Sequence, residues 1–136
     1  MEFVCLGLSH KTAPVSLRER LAVAGDENPL LLDSFVSTPE IAEAFVLSTC
    51  NRVEIYATLA PGVLPVRGIE VLKTVFARNR SMHEDDLDRC ATTRTGLRAL
   101  RHLMRVAASL DSMVVGEPQI LGQVKDAWAI ARECGS

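Results

Sequence analysis

The sequence predicts an α+β fold in which helices pack against an antiparallel sheet. Three observations support it: a short apolar run near the start, a central strand–turn–strand pattern, and helical stripes between and after these runs. In chain order they give strand, helix, strand, strand, helix, strand. This is the βαββαβ order of a ferredoxin-like sandwich, and additional helices follow it at the C-terminal end.

The first strand and two helices precede the central pattern. Phe3 to Leu8 has the β character of an inner strand, and a polar loop containing proline follows it. Ser16 is placed to cap a short helix over Leu17 to Ala22, with Glu19 at the capping-box position. Leu30 to Val36 has the apolar face of a second helix.

The central pattern predicts a β-hairpin with reactive groups at its bend. An apolar run, Ala44 to Leu47, leads into Ser48-Thr49-Cys50-Asn51-Arg52-Val53-Glu54, and a clean alternation continues to Leu59. A positive neighbour lowers the pKa of a thiol, and the thiolate is the attacking species, so Cys50 beside Arg52 is a candidate nucleophile. A free cysteine is also often a small buried hydrophobe. The hairpin alone leaves both interpretations open.

The second half of the chain is mainly helical. One stripe predicts a helix, formed by Ile69, Leu72, Val75 and Phe76. His83 to Asp88 is predicted as an acidic turn, and Cys90 to Thr93 as the fourth strand. Gly96 to Leu110 is a helix whose expected core stripe is Leu97, Leu100, Leu103, Met104 and Ala107. Pro118 opens a last amphipathic helix that runs to Cys134.

Composition narrows the class of protein. A chain of 136 residues, 48% hydrophobic and 24% charged, fits one ordinary globular domain. Its net charge of -2 disfavours a general nucleic-acid binder, so any RNA would have to meet a local basic patch. No signal peptide and no run long enough to cross a bilayer is visible. Four widely spaced cysteines suit a reducing cytoplasm and form no zinc pattern.

His102 is a candidate for proton transfer to or from a thiol. At 100° per residue it points away from the expected apolar stripe and shares a side of its helix with Arg98 and Arg105. A histidine titrates near neutral pH, which suits it to act with a thiol. A lone helical histidine is otherwise a satisfied structural residue. His10 and His83 lie in polar loops and are expected to be solvated.

Glu117 and Gln119 place polar side chains at the start of the last helix, where free backbone N–H groups can meet a carboxylate or phosphate. An exposed polar face explains them as well and is the commoner case. Five arginines are candidates for a basic patch that binds phosphates, although arginines on helices are mostly solvated: Arg18, Arg20, Arg98, Arg101 and Arg105. The chain has no dinucleotide-binding fingerprint and no metal-ligand spacing.

Three stretches resemble one family. They run from Gly7 to Arg20, from Leu47 to Tyr56, and from His102 through Ser112 to Lys125. In this order they closely resemble the N-terminal catalytic domain of the glutamyl-tRNA reductase family. The segment from Leu59 to Arg94 carries no motif of that family.

The resemblance implies the first step of tetrapyrrole (porphyrin) synthesis from glutamate, in which NADPH reduces glutamyl-tRNA(Glu) to glutamate-1-semialdehyde. Cys50 would attack the aminoacyl ester to form a thioester, and Arg52 would hold the side-chain carboxylate of the substrate. His102 matches the histidine assigned to proton transfer. The resemblance assigns contacts with the glutamyl group to Thr49, Ser112 and Gln119, with Glu117 beside them, and supporting roles in shaping the bend to Asn51 and Glu54.

The resemblance also sets expectations for the whole protein. Residues 1–136 would be the catalytic domain, without the NADPH-binding and dimerisation domains of the family. We expect such a chain to form and slowly hydrolyse the thioester in the cytoplasm, but not to reduce it. Full-length members are expected to be homodimers that meet the aminomutase acting on the semialdehyde. Two alternatives stay open: a non-catalytic ferredoxin-like module that binds tRNA or a regulator, and a simple cysteine hydrolase.

Overall fold

The computed structural model describes residues 2–9, 20, 28–48 and 52–112, with the backbone alone for Ser9, Asn28 and 108–112. Its strands are β1 (Phe3–Ser9), β2 (Ile41–Ser48), β3 (Arg52–Leu59) and β4 (Ala91–Thr95). Its helices are α1 (Asn28–Val36), α2 (Pro65–Asn79), α3 (Glu84–Cys90) and α4 (Gly96–Ser112). Within the described residues, no helix is both long and apolar enough to cross a membrane.

The four strands form one antiparallel sheet in the order β2-β3-β1-β4. The sequence prediction of helices combined with an antiparallel sheet is confirmed, including the hairpin of β2 and β3. In that hairpin Ser48 pairs with Val53 and Leu47 with Glu54, so the two strands run together up to the segment 49–51. β4 lies at one edge of the sheet and β2 at the other.

One face of the sheet carries the main apolar core. Alternate residues of β1, Val4, Leu6 and Leu8, are buried there because successive side chains of a strand point to opposite faces. α1 and α2 cover this face, and the stripe predicted on α2 is buried except for its partly exposed Val75. Burial of such side chains contributes roughly 1.5–3 kcal/mol each, which makes this face the main source of stability.

The segment before β4 differs from its prediction. The acidic turn expected at His83 to Asp88 is wrong, because Glu84–Cys90 forms α3. Glu84, Asp85 and Asp86 occupy its first turn, where carboxylates interact favourably with the helix dipole, and Leu87 is fully buried. The predicted strand was placed one residue early, since Cys90 ends the helix and β4 begins at Ala91.

The predicted core stripe of α4 is also wrong in part. Leu97, Leu100 and Met104 are 69%, 43% and 63% exposed. Ala99 and Val106 are buried instead, and Leu103 packs with Ala99 against Cys5 and Tyr56 on the second face of the sheet. The helix is therefore rotated relative to the prediction, and this rotation turns His102 towards the sheet. The predicted helices at Leu17 to Ala22 (apart from the helical Arg20) and at Pro118 to Cys134 lie outside the described residues.

Candidate active site

A row of polar side chains crosses the second face of the sheet, opposite the main core. On β3, Arg52, Glu54 and Tyr56 are two residues apart and therefore share this face. Glu54 pairs with Gly7 of β1, and Gly7 pairs with Thr92 of β4. The register thus places Glu54 of β3 and Thr92 of β4 on either side of Gly7 of β1, beneath α4.

Glu54 is the centre of this row. It is only 3% exposed, and a carboxylate buried this deeply needs partners because it has left water. The hydroxyl of Tyr56 donates to its Oε1 at 2.9 Å, and Nε2 of His102 donates to its Oε2. Nη1 of Arg52 lies 3.9 Å from Oε2. Each oxygen of the carboxylate therefore has at least one polar neighbour.

His102 is fixed by this carboxylate. It lies on α4 with a side chain 11% exposed, and its contact with Glu54 joins the helix to β3. A ring nitrogen that donates to a carboxylate sets the tautomer, so in the neutral imidazole Nδ1 is left as the acceptor. His102 does point away from the stripe of Leu97, Leu100 and Met104, but that stripe is exposed, so His102 faces the sheet and not solvent.

Two aromatic neighbours hold the ring of Tyr56 in place. Its ring stacks on Phe45, with centroids 4.9 Å apart, and on Phe3 at 5.9 Å. Burial raises the pKa of its hydroxyl far above the ordinary value, with the nearby Cys5 and Glu54 adding to the effect. The hydroxyl therefore stays protonated and keeps donating to Glu54.

Cys5 shares the same buried pocket but is not an activated thiol. Burial, with the charge of Glu54 as the second cause, raises its pKa to about 12, while a hydrogen bond with Tyr56 and the charge of Arg94 act in the opposite direction. The pKa of Cys90 is also raised, chiefly by burial. Since the thiolate is the nucleophile, neither of these two thiols is suited to attack a substrate at neutral pH.

A shallow cleft of about 160 Å³ opens above the row, lined by Gly7, Leu8, Arg52, Glu54, Thr92, Arg94 and His102. Gly7 lies at its floor, where a Cβ would be in ordinary van der Waals contact, 3.6 Å from Oε2 of Glu54 and 4.0 Å from Nη1 of Arg94. The lining holds two guanidinium groups against one carboxylate, so it favours an anionic ligand. Within the described residues, no group of three or more His, Cys, Asp or Glu is arranged to hold a metal ion.

The structure brings together two residues that the sequence singled out, Arg52 and His102. Ser112 is the last residue of α4, and its side chain is not described. The other candidates, Thr49, Cys50, Asn51, Glu117 and Gln119, lie outside the described residues, so their roles stay predictions. Glu54 was expected to support the bend, yet its side chain binds His102.

Sequence reasoning missed three further residues, Tyr56, Thr92 and Arg94. The polar members of β3 alternate with Val53, Ile55 and Ala57, which are all buried in the main core. This alternation was the signal for a second, polar face. The two β4 residues had no comparable signal, because their place beside Gly7 follows from strand pairing.

In this site a buried carboxylate orients an imidazole beside a cationic cleft. Sites of this class can bind an anionic group and move a proton. A family model described as glutamyl-tRNA(Glu) reductase, N-terminal domain, matches residues 6–136. The chain therefore belongs to the glutamyl-tRNA reductase family, as the motifs predicted.

Known relatives agree with this assignment. The chain is 48% identical over 131 residues to a glutamyl-tRNA reductase of Xanthomonas campestris pv. phaseoli, covering 96% of this chain and 28% of the relative. It is 46% identical to that of Syntrophotalea carbinolica, with 96% and 29% covered. The solved glutamyl-tRNA reductase from Methanopyrus kandleri superposes with a TM-score of 0.68 at 32% identity, covering 98% of this chain and 29% of that one. The chain thus spans less than a third of the length of these relatives.

Proposed function

We propose that this chain captures the glutamyl group of glutamyl-tRNA(Glu) as a thioester on Cys50, in the first step of tetrapyrrole synthesis. One observation carries the proposal: buried Glu54 holds His102 over a cleft lined by Arg52, and Arg52 is two residues from Cys50 in the sequence. Family membership supports the same chemistry, since an aminoacyl ester is an activated acyl group that a thiolate attacks readily.

The proposed acyl transfer uses Cys50, His102 and Glu54. Nδ1 of His102 accepts the proton of the Cys50 thiol, and the sulfur attacks the ester carbonyl carbon. The carbon–sulfur bond forms, the bond from that carbon to the ribose oxygen breaks, and the same proton passes to the ribose oxygen. Glu54 stabilises the imidazolium that exists between these two transfers, as a buried carboxylate beside histidine does in hydrolases.

Arg52 is the proposed selector for glutamate. Its side chain is 48% exposed and borders the cleft, so its guanidinium group can meet a carboxylate from solvent. A bidentate pair of this kind favours glutamyl over glutaminyl substrates, because a neutral amide would leave the binding group unsatisfied. Thr49, Ser112, Gln119, Glu117 and Asn51 are proposed to surround the glutamyl group on the family resemblance.

The described residues do not fit NADPH. The cleft of about 160 Å³ is below the range of about 300–1,000 Å³ of typical small-molecule sites. The described sheet is antiparallel and offers no crevice at the ends of parallel strands, where dinucleotides bind. NADPH, when bound, supplies the hydride that converts a thioester to an aldehyde, here glutamate-1-semialdehyde. We assign its site to parts of the whole protein beyond this chain.

The wider expectations belong to the same proposal. The strand order β2-β3-β1-β4 supports a ferredoxin-like fold, with the helices after β4 as additions to it. A cytoplasmic location, a homodimer of the whole protein and an encounter with the aminomutase follow from the family resemblance. A non-catalytic module that only binds tRNA is the alternative that the experiment below addresses.

The experiment is mass spectrometric trapping of a glutamyl adduct on the chain after mixing with glutamyl-tRNA or glutaminyl-tRNA. We expect an adduct on Cys50 with the glutamyl substrate and little with the glutaminyl one. Cys50→Ser should remove the adduct. The control is Cys90→Ala, which removes a different, buried thiol and should keep the adduct. No adduct, an adduct on another cysteine, or equal labelling by the two substrates would refute the proposal.

A further inference from the structure

The cleft has a second guanidinium group that the glutamate site does not use. Arg94 lies on β4, paired with Cys5, and its Nη1 is 4.0 Å from the point where a Cβ of Gly7 would lie. The side chain therefore reaches across β1 towards Glu54. Since β4 is the edge strand of the described sheet, Arg94 and the exposed Thr92 line the cleft from this edge.

The helix that follows β4 carries a basic face on the same side. α4 has three faces: a buried one, with Ala99 and Val106, an apolar exposed one, and one formed by the exposed Arg98, Arg101 and Arg105. At 100° per residue, Arg98 and Arg105 lie within about 60° of His102 around the helix. Gly96 to Ala107 contains no acidic residue. The basic face thus borders the cleft through His102.

We propose that Arg94 and this basic face hold the phosphodiester backbone at the acceptor end of the tRNA, with Arg94 on the phosphate of the terminal nucleotide. This inference rests on the proposed function. Beside the scissile ester the substrate has two anionic groups, the glutamyl carboxylate and that phosphate, while its α-amino group is cationic. With Arg52 on the carboxylate, the phosphate is the partner left for Arg94. A guanidinium fork and a threonine hydroxyl are common ligands of phosphate oxygens.

A pair of small substrates tests the role of Arg94. These are 2′(3′)-O-glutamyl-adenosine and the same ester carrying a 5′-phosphate. For the unmodified chain we expect faster acylation of Cys50 by the phosphorylated ester at subsaturating concentration. Arg94→Gln should abolish this advantage of about tenfold or more, mostly through KM, and slow acylation by the unphosphorylated ester much less. Arg94→Lys should restore part of it.

The outcomes separate the two proposals. If neither ester acylates Cys50, the proposed function fails. If both esters acylate Cys50 but Arg94→Gln slows them equally, Arg94 merely balances the charge of Glu54 and the phosphate inference is wrong. Loss of folding is excluded by comparing unfolding curves of the variants.

Salt dependence tests the basic face with glutamyl-tRNA itself. Each phosphate contact contributes roughly 0.7–0.9 to the slope of log affinity against log salt, so replacing Arg98, Arg101 and Arg105 by Gln should reduce the slope by roughly 2–3. The control is Arg78→Gln, an exposed arginine near the end of α2 on the other side of the sheet, which should leave the slope unchanged. An unchanged slope in the triple variant, or an equal loss in the control, would overturn the assignment.

Discussion

Replacing Glu54 by Gln tests the centre of the proposed site with almost no change in volume. The carboxylate accepts from Tyr56 at Oε1 and from His102 at Oε2, whereas Gln offers one oxygen and one NH₂ group to these two donors. One donor must reorient or lose its partner. Hydrogen bonds to charged groups contribute about 1.5–3 kcal/mol, so we expect the free energy of unfolding to fall by about that amount.

The effect on activity should be larger than the effect on stability. Without the negative charge the imidazolium of His102 loses its stabilising neighbour, and the ring can adopt the wrong tautomer. General acid–base catalysis contributes roughly 10²–10⁴-fold, so acylation of Cys50 should slow by a factor within this range. The assay is single-turnover acylation by glutamyl-tRNA, followed by mass spectrometry, with urea unfolding measured in parallel.

The matched control is Glu43→Gln. Glu43 is a carboxylate of the same sheet, but it is exposed and contacts only Thr58 among the hydrogen bonds described for it, at 3.5 Å. We expect it to change neither rate nor stability by a measurable amount. Acylation at the normal rate in Glu54→Gln, or an equal loss in Glu43→Gln, would show that the Glu54–His102 pair is not part of the chemistry.

Three further predictions follow. Arg52→Lys should raise KM for glutamyl-tRNA about tenfold or more and weaken discrimination against glutaminyl-tRNA in the acylation assay, because a bidentate pair is lost; unchanged discrimination contradicts it. The pKa of Cys5 is raised from 9.0 to about 12, so the thiol of the unfolded chain loses its proton at lower pH than that of the folded chain. The free energy of unfolding should therefore be constant below pH 9 and fall as the pH rises from 9 towards 12. Urea unfolding of Cys5→Ala should show a smaller fall, and an equal fall in both proteins rejects this cause. Gly68→Ala would place a Cβ 2.5 Å from Cδ2 of the buried Leu59, so thermal unfolding should show a net loss of stability of about 1 kcal/mol. A gain in stability would mean that the higher helix propensity of Ala outweighs this overpacking.

Local patterns predicted the strands and the larger helices because those patterns are long. The alternation from Val53 to Leu59 and the stripe of α2 each repeat several times, so they predict both the element and its buried side. α3 was missed because its seven residues contain one buried leucine, Leu87, which shows no period.

The orientation of α4 required knowledge of its partners. Leu97, Leu100 and Met104 form the more hydrophobic stripe, yet the smaller Ala99 faces the sheet and is buried. Beside this narrow contact stands His102, whose burial depends on Glu54, a residue 48 positions earlier in the chain. The periodicity of one helix gives no information about a hydrogen bond to a residue so far away in the sequence. The family motifs include His102 and Arg52, which line the same cleft in the structure, but they assigned Glu54 only to the bend.

The site and the core depend on the same register of β3. Val53 and Ile55 enter the apolar core, while Glu54 and Tyr56 between them face α4. A shift by one residue would place the carboxylate in the core and apolar side chains in the cleft, because the side-chain period of a strand is two. An unpaired buried carboxylate is far more costly than a lost apolar contact. The core therefore enforces the position of Glu54, and the position of His102 follows from it.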